Sequence, residues 1–378
     1  MRKIILTSVL CLISFTIVNA TASTIAYANI DAKAAILIEA ENKKIITAQN
    51  EHEQLSPASV TKVMTILLTY ESLQTGRIKA DDVVTISAHA ASMGGSQIFL
   101  EQGQRQSVSD LLKSVIIASA NDSSVALAEH IAGTEEAFVI LMNERAKELG
   151  MENTTFKNAT GLDAEGHLTT AYDISLMSAE LITKHSQVSE IANTWQDTII
   201  HRTAKGEKEF GLTNTNKLIR HYDGLTGLKT GSTSEALFCM AASAQRDGLE
   251  LVSVILGSPT GPIRFQEAKK LLDYGFANFQ VKEADPFEGS ISVHKGELDF
   301  APVATENTVN LTVPKGREVI IEEEIILPKF INAPMEQGEN LGEIIYKIDN
   351  EEIARANLVL AQTIEKAGIF HNFQKLLK

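Results

Sequence analysis

Ser59 and Lys62 stand three positions apart in "SPASVTKVMTILLTY", Ser56 to Tyr70, where Lys62 is the one charged side chain among apolar, small and hydroxyl residues. Residues i and i+3 of a helix are neighbours, so this spacing sets a hydroxyl beside an amine. The helix start is marked by Ser56 in the cap position and Pro57 at the first helical residue. Beyond it, Val60, Val63, Met64, Ile66, Leu67 and Leu68 cover nearly every face, the pattern of a helix inside a domain. A lysine there finds partners or loses its proton, because desolvation lowers its pKa, and a neutral lysine is a base. The pair therefore has the makings of acyl-transfer chemistry, with Ser59 as nucleophile near the positive end of the helix dipole. Taken alone, such a pair is more often a cap-region serine and a snorkelling lysine.

Two further groups carry polar chemistry. In "IIASANDSSVALAEH", Ser119 and Asn121 sit at a break between two helices, and Asp122 or Ser123 is placed to cap the second; by itself the group is also plain capping. In "DGLTGLKTGSTS", Lys229, Thr230 and Gly231 end a strand, offering a cation, a hydroxyl and an unhindered backbone to a ligand lying along the strand edge, although such triplets are often simple turns.

The elements that must position these groups follow from periodicity. "AAILIEAENKKIITAQN" is a hairpin turning at Glu41 to Lys44, and the chain from about Leu73 to Leu181 is mostly helical. "GLTGLKTGS", "ALFCMAASAQ" and "LELVSVILGS" are three strands, followed by a helix from about Arg264 to Phe279. Strands at both ends with helices between predict one antiparallel sheet assembled from the two termini around a helical insertion, an α+β domain. Past Phe279 the alternation of "GSISV", "TVNLTV" and "EVIIEEEIIL" predicts a smaller β-rich domain, with no helix until about Asn357.

At 378 residues the chain is long enough for two cores. Its net charge of −14 argues against a phosphate-backbone partner, so no nucleic acid is expected. Arg2 and Lys3, an apolar run from Ile4 to Val18 and small-residue sites at Ala20-Thr21-Ala22 and Ala26-Tyr27-Ala28 are ordered as a signal peptide cleaved after Ala22 or Ala28. The run is shorter than the roughly 20 residues of a membrane span. With Cys11 inside that signal, Cys239 is alone in the mature chain, which excludes an internal disulfide; it reads as core filler. The nine histidines show no ligand spacing, so neither metal nor cofactor is expected.

Ser-x-x-Lys at a helix start, Ser-x-Asn between helices and Lys-Thr-Gly on a late strand together form the set found in penicillin-binding proteins and class A β-lactamases. The sequence resembles the penicillin-binding, active-site-serine DD-peptidases, specifically the low-molecular-weight D-alanyl-D-alanine carboxypeptidases. The likeness extends through "LSPASVTKVMT", "FKNATGLDAEGHLTTAYDISLMS", "GLTGLKTGSTSEA" and "FQEAKKLLDYGF", and so covers essentially the whole mature chain. It implies a signal peptide over 1–28, a catalytic domain over 29–279, a β-rich domain over 280–363 and an amphipathic tail over 364–378. It also implies that Ser59 attacks the penultimate D-alanine carbonyl of a peptidoglycan stem peptide while Lys62 takes the proton. Ser119 would relay a proton to the leaving D-alanine, and Asn121 would orient lysine and substrate. Lys229 and Thr230 would hold the terminal carboxylate. The N–H groups of Ser59 and of Ser232, next to Gly231, would hold the oxyanion. β-Lactams would acylate the same serine.

Two positions depart from the family pattern. Ser232 stands where some relatives carry histidine, which puts a side-chain role there in doubt, and Ala120 adds no functional group to the Ser-x-Asn triplet. In "EKAGIFHNFQKLLK", Ile369, Phe370, Phe373, Leu376 and Leu377 share about a third of a helical wheel, so a helix there needs a surface to lie on; the resemblance implies the outer leaflet of the cytoplasmic membrane, and the alternative is the β-rich domain itself. The rival functions are a β-lactamase and a non-catalytic penicillin-binding module. Glu152, Glu165 and Glu180 lie between Ser-x-Asn and Lys-Thr-Gly, but without the Glu-x-x-Leu-Asn arrangement of a class A deacylating site.

Overall fold

The computed structural model describes residues 29–203 and 206–368. The expected signal segment and the tail from residue 369 lie outside the described residues. In chain order the first domain contains β1 (Ala34–Glu39), β2 (Ile45–Gln49), a 3-10 turn (Ala58–Thr61) leading directly into α1 (Lys62–Gln74), β3 (Val83–Thr85), α2 (Ala88–Ala91) and β4 (Arg105–Ser107). The helices α3 (Val108–Ile117), α4 (Asn121–Ala132), α5 (Glu135–Glu148), α6 (Ala171–Lys184) and α7 (Val188–Ala192) follow. The hairpin β5 (Gln196–Thr203) and β6 (Gly206–Thr213) comes next, then β7 (Leu225–Thr233), β8 (Leu237–Arg246), β9 (Leu249–Ser258) and α8 (Gly261–Asn278).

The expected sheet from both termini is present, five strands in the order β2-β1-β9-β8-β7. β1 pairs antiparallel with β9 from Ala34–Leu256 to Glu39–Leu251. All six residues of β1 are buried, and its two-residue period divides them between two cores. Ala34, Ile36 and Ile38 join the cluster formed with α1, α3, α4 and α6, while Ala35 and Leu37 face the cluster that takes in Leu271, Leu272 and Phe276 of α8. The sheet is thus the middle of three layers, which is why its strands read as continuous apolar runs.

A second sheet, in the order β3-β4-β5-β6, was not expected from the sequence. Along β6, "GEKEFGLT", Leu212 alone is buried, so the strand lacks the apolar alternation that marks a half-buried one.

The β-rich domain comprises β10 (Phe279–Glu283), β11 (Gly289–His294), β12 (Phe300–Thr305), β13 (Asn310–Pro314), β14 (Glu322–Ile326), β15 (Phe330–Asn332), β16 (Asn340–Ile348) and β17 (Glu351–Leu360). Six strands form one sheet, β14-β16-β17-β12-β11-β15, and β10 pairs with β13. Asn310 links this domain to the β1–β2 turn, its carbonyl accepting from Asn42 Nδ2 (3.3 Å) and its own amide donating to Glu41 (3.4 Å).

Three local expectations are corrected. Ser56 does not cap α1: the 3-10 turn begins after Pro57 without a side-chain cap, and Ser56 Oγ donates instead to Asp163 (3.4 Å). No helix begins near Asn357, which lies inside β17, where Val359 and Leu360 pair with β16 and β12. The tail is not helical from 364 either, since Ile364 and Lys366 bridge to Met335 and Gly296 in extended conformation. Among the described residues no helix is long and apolar enough to cross a membrane.

Candidate active site

The turn that carries Ser59 is held under strain. Ala58 has φ of +48°, a left-handed conformation costing a non-glycine residue about 1–2 kcal/mol. Two glycines clamp it. A Cβ on Gly161 would lie 1.9 Å from the Ala58 carbonyl oxygen, and one on Gly231 would lie 2.7 Å from the Ser59 nitrogen, so only bare backbone fits on either side. The turn is thereby pressed between the loop after α5 and the edge strand β7, and Ser59 itself is half-buried.

Lys62, the first residue of α1, is fully buried and donates three hydrogen bonds: to Ser59 Oγ (3.0 Å), Asn121 Oδ1 (2.6 Å) and the Thr160 carbonyl (2.5 Å). Burial holds its pKa well below the ordinary lysine value, the nearby Lys229 charge pushes the same way, and Asp122 partly opposes both. The residue before it, Thr61, bonds through Oγ1 to His167 Nε2 (3.1 Å), and burial pushes that imidazole down to about 4, so it is neutral.

Asn121 opens α4, whose cap position is Ala120. Its side-chain amide reaches the Gly94 carbonyl (2.7 Å) while its oxygen accepts from Lys62. Asp122 does not cap α4 as expected. Its buried carboxylate turns away from the helix to accept from the amides of Ile98 (3.1 Å) and Leu100 (3.0 Å), besides that of Ser123 (2.9 Å). Ser119 is buried at the α3–α4 break with φ of +62°, but Lys62's three hydrogen bonds do not include it.

Lys229, Thr230, Gly231 and Ser232 all lie on β7. Lys229 is buried, its ammonium on the Thr230 carbonyl (2.9 Å), and burial together with the Arg264 charge lowers it to about 7. Thr230 Oγ1 donates to Thr215 Oγ1 (2.7 Å), and the Thr215 amide donates to the Ile117 carbonyl (3.2 Å), tying β7 to the end of α3. Arg264 of α8 reaches through the sheet, its Nη1 donating to the carbonyls of Gly231 (2.9 Å) and Cys239 (3.2 Å). Ser232 is exposed at the β7–β8 edge, opposite Phe238. Thr160, Thr215 and Arg264 were not anticipated. The first acts through its backbone, which no side-chain pattern announces, whereas an arginine on the sheet-facing side of α8 was a signal available in the sequence.

The family model for D-alanyl-D-alanine carboxypeptidase matches residues 19–260, and that for the C-terminal domain of penicillin-binding protein 5 matches residues 276–366. The chain is 41% identical over 342 residues to the D-alanyl-D-alanine carboxypeptidase DacF of Bacillus subtilis, covering 89% of this chain and 87% of that protein. It is 34% identical to DacC of Escherichia coli, over 93% and 88% of the two chains. Penicillin-binding protein 5 from Haemophilus influenzae has the same architecture, with a TM-score of 0.77 and 31% identity over 90% of this chain and 100% of that one. The expected family, fold class and reaction type are all met by these likenesses. The chain belongs to the D-alanyl-D-alanine carboxypeptidase family, a family of serine peptidases acting on peptidoglycan peptides.

Proposed function

We propose that Ser59 and Lys62 carry out this carboxypeptidase reaction as nucleophile and base, with a peptidoglycan stem peptide ending in D-Ala-D-Ala as substrate. The observation that carries the assignment is the set of acceptors around Lys62. An ammonium has three N–H donors, and here they go to Ser59, Asn121 and Thr160. A neutral amine keeps two N–H bonds and gains a lone pair. The Asn121 oxygen and the Thr160 carbonyl can only accept, so they retain the two N–H bonds. The lone pair is left facing Ser59, the one partner whose hydroxyl can donate.

The Ser59 hydroxyl then passes its proton to Lys62 as Oγ bonds to the penultimate D-alanine carbonyl. The N–H groups of Ser59 and Ser232 hold the oxyanion, a role supported by the close approach of β7 to the turn. The C–N bond breaks, Ser119 relays the proton to the departing D-alanine, and water hydrolyses the ester. Lys229 and Thr230 receive the terminal carboxylate. That anion favours the charged form of Lys229, offsetting the burial that lowers it.

β-Lactams acylate Ser59 by the same steps; penicillin-binding protein D2 from Listeria monocytogenes, 32% identical over 66% of this chain, is known in an ampicillin-bound form. Retention of the acyl-enzyme, which distinguishes the protein from a β-lactamase, is supported by the carboxylates noted in the sequence. Glu152 and Glu165 are exposed, and Glu180 is paired with Arg145 (2.8 Å). The chain is exported through the segment 1–28 and works on the cell-wall side of the cytoplasmic membrane, with the residues after 368 lying on that membrane.

The test is labelling with a fluorescent penicillin, wild type beside Ser59→Ala, with mass mapping of the acylated peptide and measurement of D-alanine release. Label on any other serine overturns the assignment, and penicillin binding without D-alanine release overturns the catalytic reading. Deleting residues 369–378 and fractionating cells tests the anchor, which fails if the shortened protein stays with the membrane.

A further inference from the structure

Arg264 is a buried cation without an acid to pair with. Among the described residues no carboxylate partners it, and its Nε has no hydrogen-bond acceptor. Burial lowers its pKa only to about 10, so it stays charged at neutral pH. The guanidinium lies over the rings of Phe265 (4.5 Å to the centroid) and Phe238 (5.7 Å). Its hydrogen bonds go from Nη1 to two backbone oxygens, those of Gly231 (2.9 Å) and Cys239 (3.2 Å). A buried charge is costly, so what these two bonds achieve has to be found in the backbone they hold.

The two carbonyls fix the direction of a peptide group. Gly231 and Cys239 are register partners on β7 and β8. One nitrogen reaches both oxygens, so these lie no more than about 6 Å apart, whereas carbonyls turned away from each other across such a pair would be roughly 8 Å or more apart. Both therefore point into the space between the strands. The Gly231–Ser232 bond is trans, and in a planar trans peptide the N–H points opposite to the C=O. The Ser232 N–H is thereby directed away from β8. Because β7 is the end strand of its sheet, no further strand covers that side.

Gly231 is held from both faces of the sheet. On one, a Cβ there would lie 2.7 Å from the Ser59 nitrogen and 3.0 Å from that of Val60. On the other is α8, where the Phe238 ring under Arg264 would meet a Cβ on Gly261, the first residue of that helix, at 3.6 Å. The turn that carries Ser59 and the guanidinium of Arg264 thus hold one glycine between them, with the next N–H left at the open edge.

We propose that Arg264 is a positioning residue for the oxyanion hole: by holding the Gly231 carbonyl from the α8 side, it aims the Ser232 N–H at the oxyanion formed when Ser59 attacks. This rests on the reading in which the N–H groups of Ser59 and Ser232 receive that oxyanion. The charge is present in the tetrahedral states of acylation and deacylation and absent from the bound ground state, so Arg264 acts on kcat and leaves KM nearly unaltered.

The test measures kcat and KM on a stem pentapeptide for wild type, Arg264→Gln and Arg264→Lys. It also measures inhibition by the boronic acid analogue of N-acetyl-D-alanine, which forms a tetrahedral adduct with a serine. Arg264 lowers the Lys229 pKa as well, so each variant is assayed at its own pH optimum, with active sites counted by penicillin labelling. In Arg264→Gln, kcat per active site and boronate affinity are both expected to fall roughly 10- to 50-fold, less than the about 10²–10³-fold cost of deleting such a donor, with KM changing less than twofold. Arg264→Lys, which keeps a donor and the charge, is expected to show the same pattern at smaller size, and carries the test if the glutamine variant does not fold. A rise in KM at unaltered kcat would make Arg264 a substrate-binding residue, and fewer active sites at unaltered kcat per site would make it merely structural; either result overturns the proposal. In a crystal structure of the wild-type adduct, a boronate oxygen away from the Ser59 and Ser232 N–H groups would instead overturn the oxyanion reading, a separate outcome.

Discussion

The β-rich domain and the catalytic domain treat buried polarity in opposite ways. Among the described residues beyond 279, Thr312 and the hydroxyl of Tyr346 are the buried polar side-chain groups, and the interior is an apolar cluster that includes Ile344, Leu358 and Leu360. The catalytic domain buries Lys62, Asn121, Asp122, Lys229 and Arg264 within one connected region. A buried charge is costly unless its hydrogen bonds are met, so the second arrangement persists only because each group has fixed partners. The first region tolerates any change that keeps its volume, whereas the second is sensitive to the identity and direction of single atoms.

The contrast can be broken most severely at Lys62. Lys62→Arg keeps a cation that cannot deprotonate near neutral pH, and penicillin acylation should fall by about 10³-fold or more while near-ultraviolet circular dichroism stays native. A fall below tenfold would remove Lys62 as the base. Gly161→Ala should come next: with its Cβ 1.9 Å from a backbone oxygen and φ of +83°, it should lower acylation by about 100-fold and cost roughly 3 kcal/mol in urea unfolding.

A substitution in the apolar region should separate stability from chemistry. Ile344→Ala is expected to cost about 2–5 kcal/mol in urea unfolding, with the acylation rate of the folded protein shifting less than twofold. Loss of acylation in step with stability would mean that the two domains are one energetic unit.

The smallest effect is in the pH profile of kcat/KM for the peptide. Activity should rise with pH as Lys62 loses its proton, then fall as Lys229, near 7 in the free enzyme, loses the charge proposed to receive the carboxylate. Lys229→Gln should abolish the fall. It should also move the rise to higher pH, because removing a neighbouring positive charge raises the Lys62 pKa. Unchanged limbs would separate the two lysines.

The meeting of Ser59 with Lys62 was legible because their relation is local: three residues along a helical turn fix who meets whom. The sheet of both termini was legible because β1, β8 and β9, buried on both faces, read as unbroken apolar runs. What escaped was set by distant partners. Ser56 looked like a cap, but its hydroxyl is taken by Asp163, and Asp122 looked like a cap, but its carboxylate is taken by the amides of Ile98 and Leu100. The strand at Asn357 was missed because its sequence, "EEIARANLVL", can be written on a helix or a strand and is decided by pairing with β16 and β12.

The pairing of β1 with β9 also imposes an order in time. Ala34 meets Leu256, and the clamp on the turn carrying Ser59 needs both Gly161 and Gly231, so early and late segments must come together before the site exists. Contacts this far apart in sequence make folding slow, since a long loop must close before it is rewarded. A chain emerging from its N-terminus presents Ser59 and Lys62 long before it presents β7 to β9. Until those strands arrive it has a serine and a lysine but no strained turn, no desolvated amine and no acylating activity.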